Sequence, residues 1–360
     1  MQKIDQLDIL VVYSASIALS SSVSDQKSKH PFDINSSRAN YNLSYAYVLD
    51  YCHSLGLTAG FTASCDITGP GTCSSYWTHD STGWHKNIRP AHSTQIFDKL
   101  SPSTPIRTTE RNLLLSDASI IPFNDINIYQ IFFDKLLTYQ QLPKYTIPTV
   151  SIYSSRPRDV KSALTRLNKL IKKHPTPNDF SSAVILKDRF GAGGNDIYKI
   201  STNIISTINT IMRKHSKLKF VLQPFLIFDQ GFTYKENSAT TDIRLIIQHN
   251  KLYKCYIRVA QDNNFLCNQH QGGKLTYLKN SEIPSTISST SQKIIKILNK
   301  PHSLYALDFV ISNTGHVYFI EGNSNPGIDW TIGNPTSEAN GQQLIRRIID
   351  EMADRLNNSR

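Results

Sequence analysis

The sequence predicts a mixed α/β and α+β protein, and three observations carry that prediction. At 360 residues, with 39% hydrophobic and 10% aromatic content, the chain has the composition of a folded protein long enough for two or three domains or lobes. Its first apolar run, ILVVY within 8–13, leads through a helical stretch to a second strand, the order of an open α/β unit. Further on, strand-length apolar runs alternate with helical segments and end in two neighbouring strands that carry carboxylates, YALDFVI and VYFIEGN.

In the first 120 residues the spacing predicts a strand over 8–13, a Ser-rich loop, a helix near 40–55, and the strand LTAGFT after Gly56. Residues 62–92, rich in Gly, Ser, Thr, Trp and His without steady periodicity, read as a long loop or small insertion. Trp77, His79, Trp84, His85 and His92 fall there. Their spacing matches no standard metal site, so an aromatic stack or pocket lining is the better expectation. One helix is expected over 126–141, stopping before Pro143, then the strand TIPTVSIY.

A helix over 158–173, strand AVILKD, a Gly loop, strand IYKI, a helix over 202–215 and strand KFVLQPFLIF follow. DIRLIIQ and KLYKCYIRVA flank the turn His249-Asn250. A helix near 285–299 precedes the carboxylate strands. The chain closes with a helix near 338–357 whose Leu344, Ile345, Ile348, Ile349, Met352 and Leu356 form an apolar stripe.

The formal charge of +11 favours an anionic partner, such as a nucleotide or an acidic peptide. No aromatic-interleaved basic run stands out, which disfavours nucleic acid. Five cysteines, without a CxxC, support neither a zinc ribbon nor a disulfide framework and point to a reducing compartment. Residues 9–19 could pass for a signal core, but Asp5 and Asp8 occupy the flank where positive charge belongs, so a buried strand is expected. No run is long enough to span a membrane.

Chemistry concentrates near the C-terminus. In FIEGNSNPGIDW, Glu321, Asn323 and Asn325 share one face of an extended chain. If Thr314-Gly315 is the hairpin tip, Asp308 lies opposite Glu321, whereas a three-residue tip shifts the pairing by one position. Facing carboxylates repel unless a cation sits between them, and these hard oxygen donors suit Mg²⁺ arriving with a phosphate. An acidic sheet edge with turn-forming asparagines is the structural alternative. Lys187 ends a strand before Gly191, Gly193 and Gly194, a loop whose amides could close on an anion, although a plain Gly-rich hairpin explains it equally well. Arg244 and Arg258 lie on adjacent apolar strands and need anionic partners, whether a ligand or a salt bridge.

Taken in order, these segments resemble the ATP-grasp superfamily, most closely the branch of ribosomal-protein glutamate ligases and related amino-acid and peptide ligases. The resemblance runs from about Asn124 to the C-terminus. It rests on FNDINIYQIFFDK, VILKDRFGAGG, QPFL, TDIR, YIRVA, NQHQGG, LDF and EGNSNPG. It implies an ATP-grasp fold of two α+β lobes, a small lobe over 123–225 and a large lobe over 226–360. An N-terminal α/β domain over 1–122 would precede them.

It further implies that Lys135, Lys187, Gly191, Gly193 and Gly194 contact the ATP phosphates. Gln223, Phe225 and Leu226 would frame adenine, and Asp229 would bind ribose. Asp308, Glu321 and Asn323 would hold Mg²⁺, two ions with Mn²⁺ an acceptable substitute. Arg258, Asn268 and Arg244 would position the acyl phosphate and substrate carboxylate. Two departures stand out: Gln223-Pro224 where an acidic residue is common, and Val259 where family members often carry a second arginine.

The implied activity is ATP-dependent ligation of a carboxylate to an amine through an acyl phosphate. The substrates would be a carboxylate-bearing amino acid or peptide and an amine, with a peptide or protein tail among the candidates. A kinase of the same fold, a non-catalytic nucleotide-binding regulator and a nucleic-acid binder are the rivals. Substrate specificity is expected to reside in residues 14–40 and 62–92. The cytoplasm is the expected compartment, and a homodimer would be an ordinary oligomeric state.

Overall fold

A computed structural model describes residues 3–359 apart from 23–27, 102–104, 236–239, 262–263 and 269–271. The chain divides into two compact units, one of Met1–Asn124 with Gly327–Arg360 and the other of Asp125–Pro326.

In the first unit, β1 (Ile9–Tyr13) pairs in parallel with β2 (Ala59–Ala63) on one side and with β5 (Gln95–Lys99) on the other. The hairpin β3 (Tyr76–Asp80) and β4 (Gly83–Asn87) extends the sheet beyond β2, and β6 (Ile121–Pro122) closes it beyond β5. Ile9, Leu10, Val11 and Val12 are fully buried, as a central parallel strand covered on both faces requires. Helix α1 (Tyr41–Ser54) makes the crossover from β1 to β2, and α2 (Pro105–Leu114) follows β5.

The last helix, α8 (Pro335–Ser359), packs on α1, where Tyr51 Oη donates to Asp350 Oδ1 at 2.8 Å. All six residues of its apolar stripe are buried.

Of the two expectations for residues 62–92, a long loop or a small insertion, the long loop does not hold. These residues form several short strands, including the β3–β4 hairpin, joined to β2 where Phe61 pairs with Trp77. Polar and aromatic residues alternate without a clean apolar face, and this hid the period-2 signal. Trp77 and His79 pack edge-on against Trp84, and His79 is bonded to Asp50 at 2.7 Å, so these rings serve as a stack.

The second unit contains two antiparallel sheets. The first has the order β7 (Val150–Ile152), β10 (Phe220–Leu226), β8 (Phe180–Asp188), β9 (Ile197–Ile200). Helices α5 (Pro157–Lys172) and α6 (Ile204–Lys214) cover one face through Val160, Ala163, Leu167 and Ile208, which pack on Val184, Leu186 and Leu222. Alternation sends Ile185, Lys187, Lys199, Gln223 and Phe225 to the other face.

The second sheet has the order β13 (Lys274–Leu278), β12 (Lys251–Val259), β11 (Thr241–Gln248), β14 (Leu304–Ile311), β15 (Val317–Asn323). Helices α3 (Ile126–Phe133) and α7 (Ser285–Leu298) bury its core face over Ile243, Leu245, Leu307, Phe309 and Phe319. The β11–β12 turn has φ of +53° at His249 and +55° at Asn250, the type I′ geometry expected of a two-residue hairpin.

The single helix expected over 126–141 is two. Asp134 adopts an extended conformation, and its carboxylate accepts the amides of Leu136 and Leu137, starting α4 (Lys135–Gln141).

Candidate active site

The hairpin of β14 and β15 places Asp308 directly opposite Glu321, the pair expected from the sequence, by a different route. The tip is wider than a two-residue turn, so Ile311 faces Val317 and Phe309 faces Phe319. A bulge then inserts Ile320 and restores the Asp308–Glu321 register. Gly322, on the core face, lies under the Phe132 ring, where an added Cβ would come within 2.2 Å of Cδ1.

Asp308 is also the cross-strand neighbour of Arg244, which donates to both of its carboxylate oxygens at 2.6 Å. Arg258 donates to Asp308 Oδ2 at 2.8 Å and forms a two-point pair with Asp242 at 2.6 and 2.8 Å. The two arginines therefore find their anions inside the protein, the salt-bridge alternative.

Burial raises the proton affinity of Asp308, but the two guanidinium groups outweigh it and hold the carboxyl below its usual range. Asp242, with burial dominant over Arg258, is pushed up to about 6. Glu321 is partly buried and enters none of the ion pairs among the described residues. An acidic oxygen left beside a neutralised Asp308 fits a divalent cation, with Asn323 the third hard donor. The Asn323 side-chain oxygen accepts the Asn325 amide at 2.8 Å, so one of its lone pairs serves a turn.

On the first sheet, Lys187 is 9% exposed, and burial, with Lys135 adding to it and Glu321 opposing, lowers its ammonium to about 7. Lys135, Lys187, Gln223, Ile320, Glu321 and Gly322 line one cleft, so both expected lysines and one expected metal ligand meet there. The Gly loop turns through φ of +70° at Gly193 and +81° at Gly194, which favour glycine, and the carbonyl of Gly191 accepts from Lys135 Nζ.

The loop base is fixed by a contact the sequence reading missed. Arg189 donates to both oxygens of Asp134 at 2.6 and 2.5 Å, its carbonyl accepts the Lys135 amide at 3.1 Å, and Phe190 stacks on Phe133. The signals were an Asp at a helix-capping position and an Arg two residues beyond Lys187.

Gln223 is buried and donates to Thr149 Oγ1 at 2.7 Å. Phe225 packs edge-on against Phe265 and lies 3.5 Å from Lys199 Nζ, while Leu226 is buried opposite Phe180. Asp229 does not join this cluster; it is exposed, and its carboxylate accepts from Asn313 Nδ2 at 2.9 Å in the β14–β15 tip. The carbonyl of Asn268 accepts the Gly273 amide at 3.1 Å; residues 269–271 of that element lie outside the described residues.

The model of the YheC/D-like ATP-grasp family matches residues 126–353. Four strains of Legionella pneumophila carry a curated relative named probable alpha-L-glutamate ligase, 29% identical over 125 residues, which are 35% of this chain. That alignment spans 36% of the relative, so the chain matches about a third of its length. Among solved structures, D-alanyl-alanine synthetase A from Vibrio cholerae superposes with a TM-score of 0.58 at 12% identity, covering 98% of this chain and all of that one. D-cycloserine synthetase DcsG does so with 0.57 at 11% identity, covering 97% and 99%. The ATP-grasp ligase PsnB, complexed with a minimal precursor, gives 0.54 at 11% identity over 96% and 99%.

Proposed function

Because this chain belongs to the YheC/D-like ATP-grasp family, we propose that it is an ATP-dependent carboxylate-amine ligase that makes an amide or peptide bond through an acyl phosphate. The observation that carries this reading is the convergence of Lys135, Lys187 and Glu321 on one cleft, with Asp308 opposite Glu321. A triphosphate entering there meets both lysines and the amides of the Gly loop. Asp308, Glu321 and Asn323 would hold Mg²⁺, two ions, which would neutralise phosphate charge as it moves to the leaving group.

The substrate carboxylate attacks the γ-phosphorus in line and displaces ADP; an amine then attacks the acyl carbon, and phosphate leaves. Lys187, its ammonium lowered to about 7 and so only partly protonated before the nucleotide binds, takes up a proton against the phosphates. The loop, tied to Lys135 through Arg189 and Asp134, encloses the acyl phosphate and limits its hydrolysis. Arg258 and Arg244, already paired, act by fixing Asp308 and by turning their remaining donors to the transferring group, with Asn268 beside them. Gln223, Phe225 and Leu226 frame adenine. Asp229 would reach ribose only by exchanging Asn313 for it.

An amino acid or peptide is the carboxylate substrate, and the cytoplasm is the compartment that suits ATP and five unpaired cysteines. No helix among the described residues is long and apolar enough to cross a membrane.

The test is ADP release from Mg²⁺-ATP against amino acids, dipeptides, acidic peptides and cell extract, with mass spectrometry of every product. Amine-dependent release with a product one water lighter than the summed substrates is the expected result. A stable phosphorylated product formed without an amine would overturn the ligase in favour of a kinase.

A further inference from the structure

Nearly all of the chain's excess charge sits in one stretch. Residues 153–219 hold fourteen of the 39 Lys and Arg but four of the 28 Asp and Glu, so this stretch alone carries +10 of the +11. It supplies α5 and α6, which pack side by side over one face of the β7–β10 sheet. Lys187 and its cleft belong to the opposite face, so cations on the outer side of these helices stand apart from the nucleotide cleft.

In α5, Val160, Ala163 and Leu167 face the sheet, and the helical period puts Lys161, Thr165, Asn168, Lys169 and Lys172 on the opposite side, all exposed. In α6, Ile208 faces the sheet, and the exposed Ser206, Thr210 and Arg213 take the outer side, with Lys214 beside them and Lys217 just past the helix end. Asp159 is the one carboxylate in either helix, and Arg156 engages it at 3.0 Å. Among the described residues, Lys161, Lys169, Lys172, Arg213, Lys214 and Lys217 enter no ion pair. Six like charges on one surface repel, and a polyanion relieves that repulsion.

The neutral residues between the cations narrow the choice of polyanion. A membrane-binding helix pair would present large apolar side chains between its lysines, whereas these stripes present Thr165, Asn168, Ser206 and Thr210. Hydroxyls and amides interspersed with Lys and Arg are the groups that contact nucleic-acid phosphates and sugars. Neither helix contains an aromatic residue, so the surface lacks the stacking platform that single strands use. The α5 face is about 24 Å long, and a duplex presents about one phosphate per 1.7 Å along such a length.

We propose that the outer faces of α5 and α6 form a docking surface for the phosphate backbone of a nucleic-acid duplex, bound without regard to base sequence. No basic run betrays it along the chain, because the cations lie in two helices separated by strands; packing of those helices on one sheet gathers them. The surface is independent of the ligase reading.

The experiment is fluorescence anisotropy of a labelled duplex, DNA and RNA in parallel, titrated with the full-length protein between about 50 and 200 mM NaCl. The wild type should bind a duplex with log Kd rising against log salt at a slope of about 5, as six phosphate contacts give. Lys161→Glu, Lys169→Glu and Lys172→Glu together, and separately Arg213→Glu, Lys214→Glu and Lys217→Glu together, should each weaken binding about thirtyfold or more and lower the slope by about 2–3. Reversing three exposed lysines elsewhere, Lys251→Glu, Lys293→Glu and Lys296→Glu, gives the same net charge and should cost less than about threefold. Lys161→Arg, Lys169→Arg and Lys172→Arg together should retain binding, which separates lost charge from lost fold.

The surface is overturned if the wild type binds neither duplex, or if all three sets of reversals weaken binding equally. It is also overturned if phosphatidylserine-containing vesicles or polyglutamate bind through these lysines while duplexes do not. Tighter binding of a single strand than of the duplex would overturn the duplex as partner.

Discussion

The two sheets of the second unit treat buried charge in opposite ways. On the β11–β15 sheet, Arg244 and Arg258 are matched by Asp308 and Asp242 within 2.8 Å, and all four side chains are largely enclosed. On the β7–β10 sheet, Lys187 stands beside Lys135, a second cation, and its ammonium is driven down to about 7. One region has settled its electrostatics internally, and the other awaits an anion. A buried pair that is complete is structural first, whereas a buried cation beside another cation is costly until a ligand arrives.

The strongest test removes the shared anion. Asp308→Ala strips the enclosed Arg244 of its carboxylate while Arg258 keeps Asp242, a loss of about 3–5 kcal/mol in folding stability as well as of turnover. Chemical denaturation of the variant checks this, and unchanged stability would mean the network carries no weight. Glu321→Gln sharpens the contrast, because Glu321 is outside that network. Turnover should fall about 10²–10³-fold, the scale of losing one preorganised electrostatic contact, with stability within about 0.5 kcal/mol of wild type.

Gly322→Val probes the floor between the sheets. Its side chain must displace the Phe132 ring, an overpacking cost of about 1–3 kcal/mol visible in thermal melts.

The smallest effect is in pH. Lys187 binds phosphate as the charged form, so apparent ATP affinity should be flat below about pH 7 and decline above it, by at most tenfold per pH unit. Calorimetry in buffers of different ionisation enthalpy should show proton uptake on binding, absent in Lys187→Met. The sign for folding is the reverse. The unfolded lysine, with its ordinary value of 10.5, holds more protons than the folded one between about pH 7 and 10.5, so the ligand-free protein gains stability across that window.

Most strands of the second unit were legible as short apolar runs bounded by turn signals, as DIRLIIQ and LYALDFVI are, both buried almost throughout. The break at Asp134 was not, since an aspartate inside an apolar helical run scores as a polar position until its carboxylate is seen capping the next helix. The β3–β4 hairpin and the strand Gln95–Lys99 were also missed, their short polar-rich runs giving no period to detect.

The sequence by itself determined the order of the longer elements and the lysines and carboxylates available for chemistry, because local periodicity depends on near neighbours along the chain. The pairing of Asp308 with Glu321 also needed the bulge at Ile320, which no periodicity shows. Only the tertiary structure decided that the arginines belong to Asp308 and Asp242, that Arg189 anchors the Gly loop through Asp134, and that Asp329 and α8 return to the unit of β1. Those partners are tens to hundreds of residues apart. Which charge meets which is set by how sheets and helices pack, and no local pattern encodes that distance.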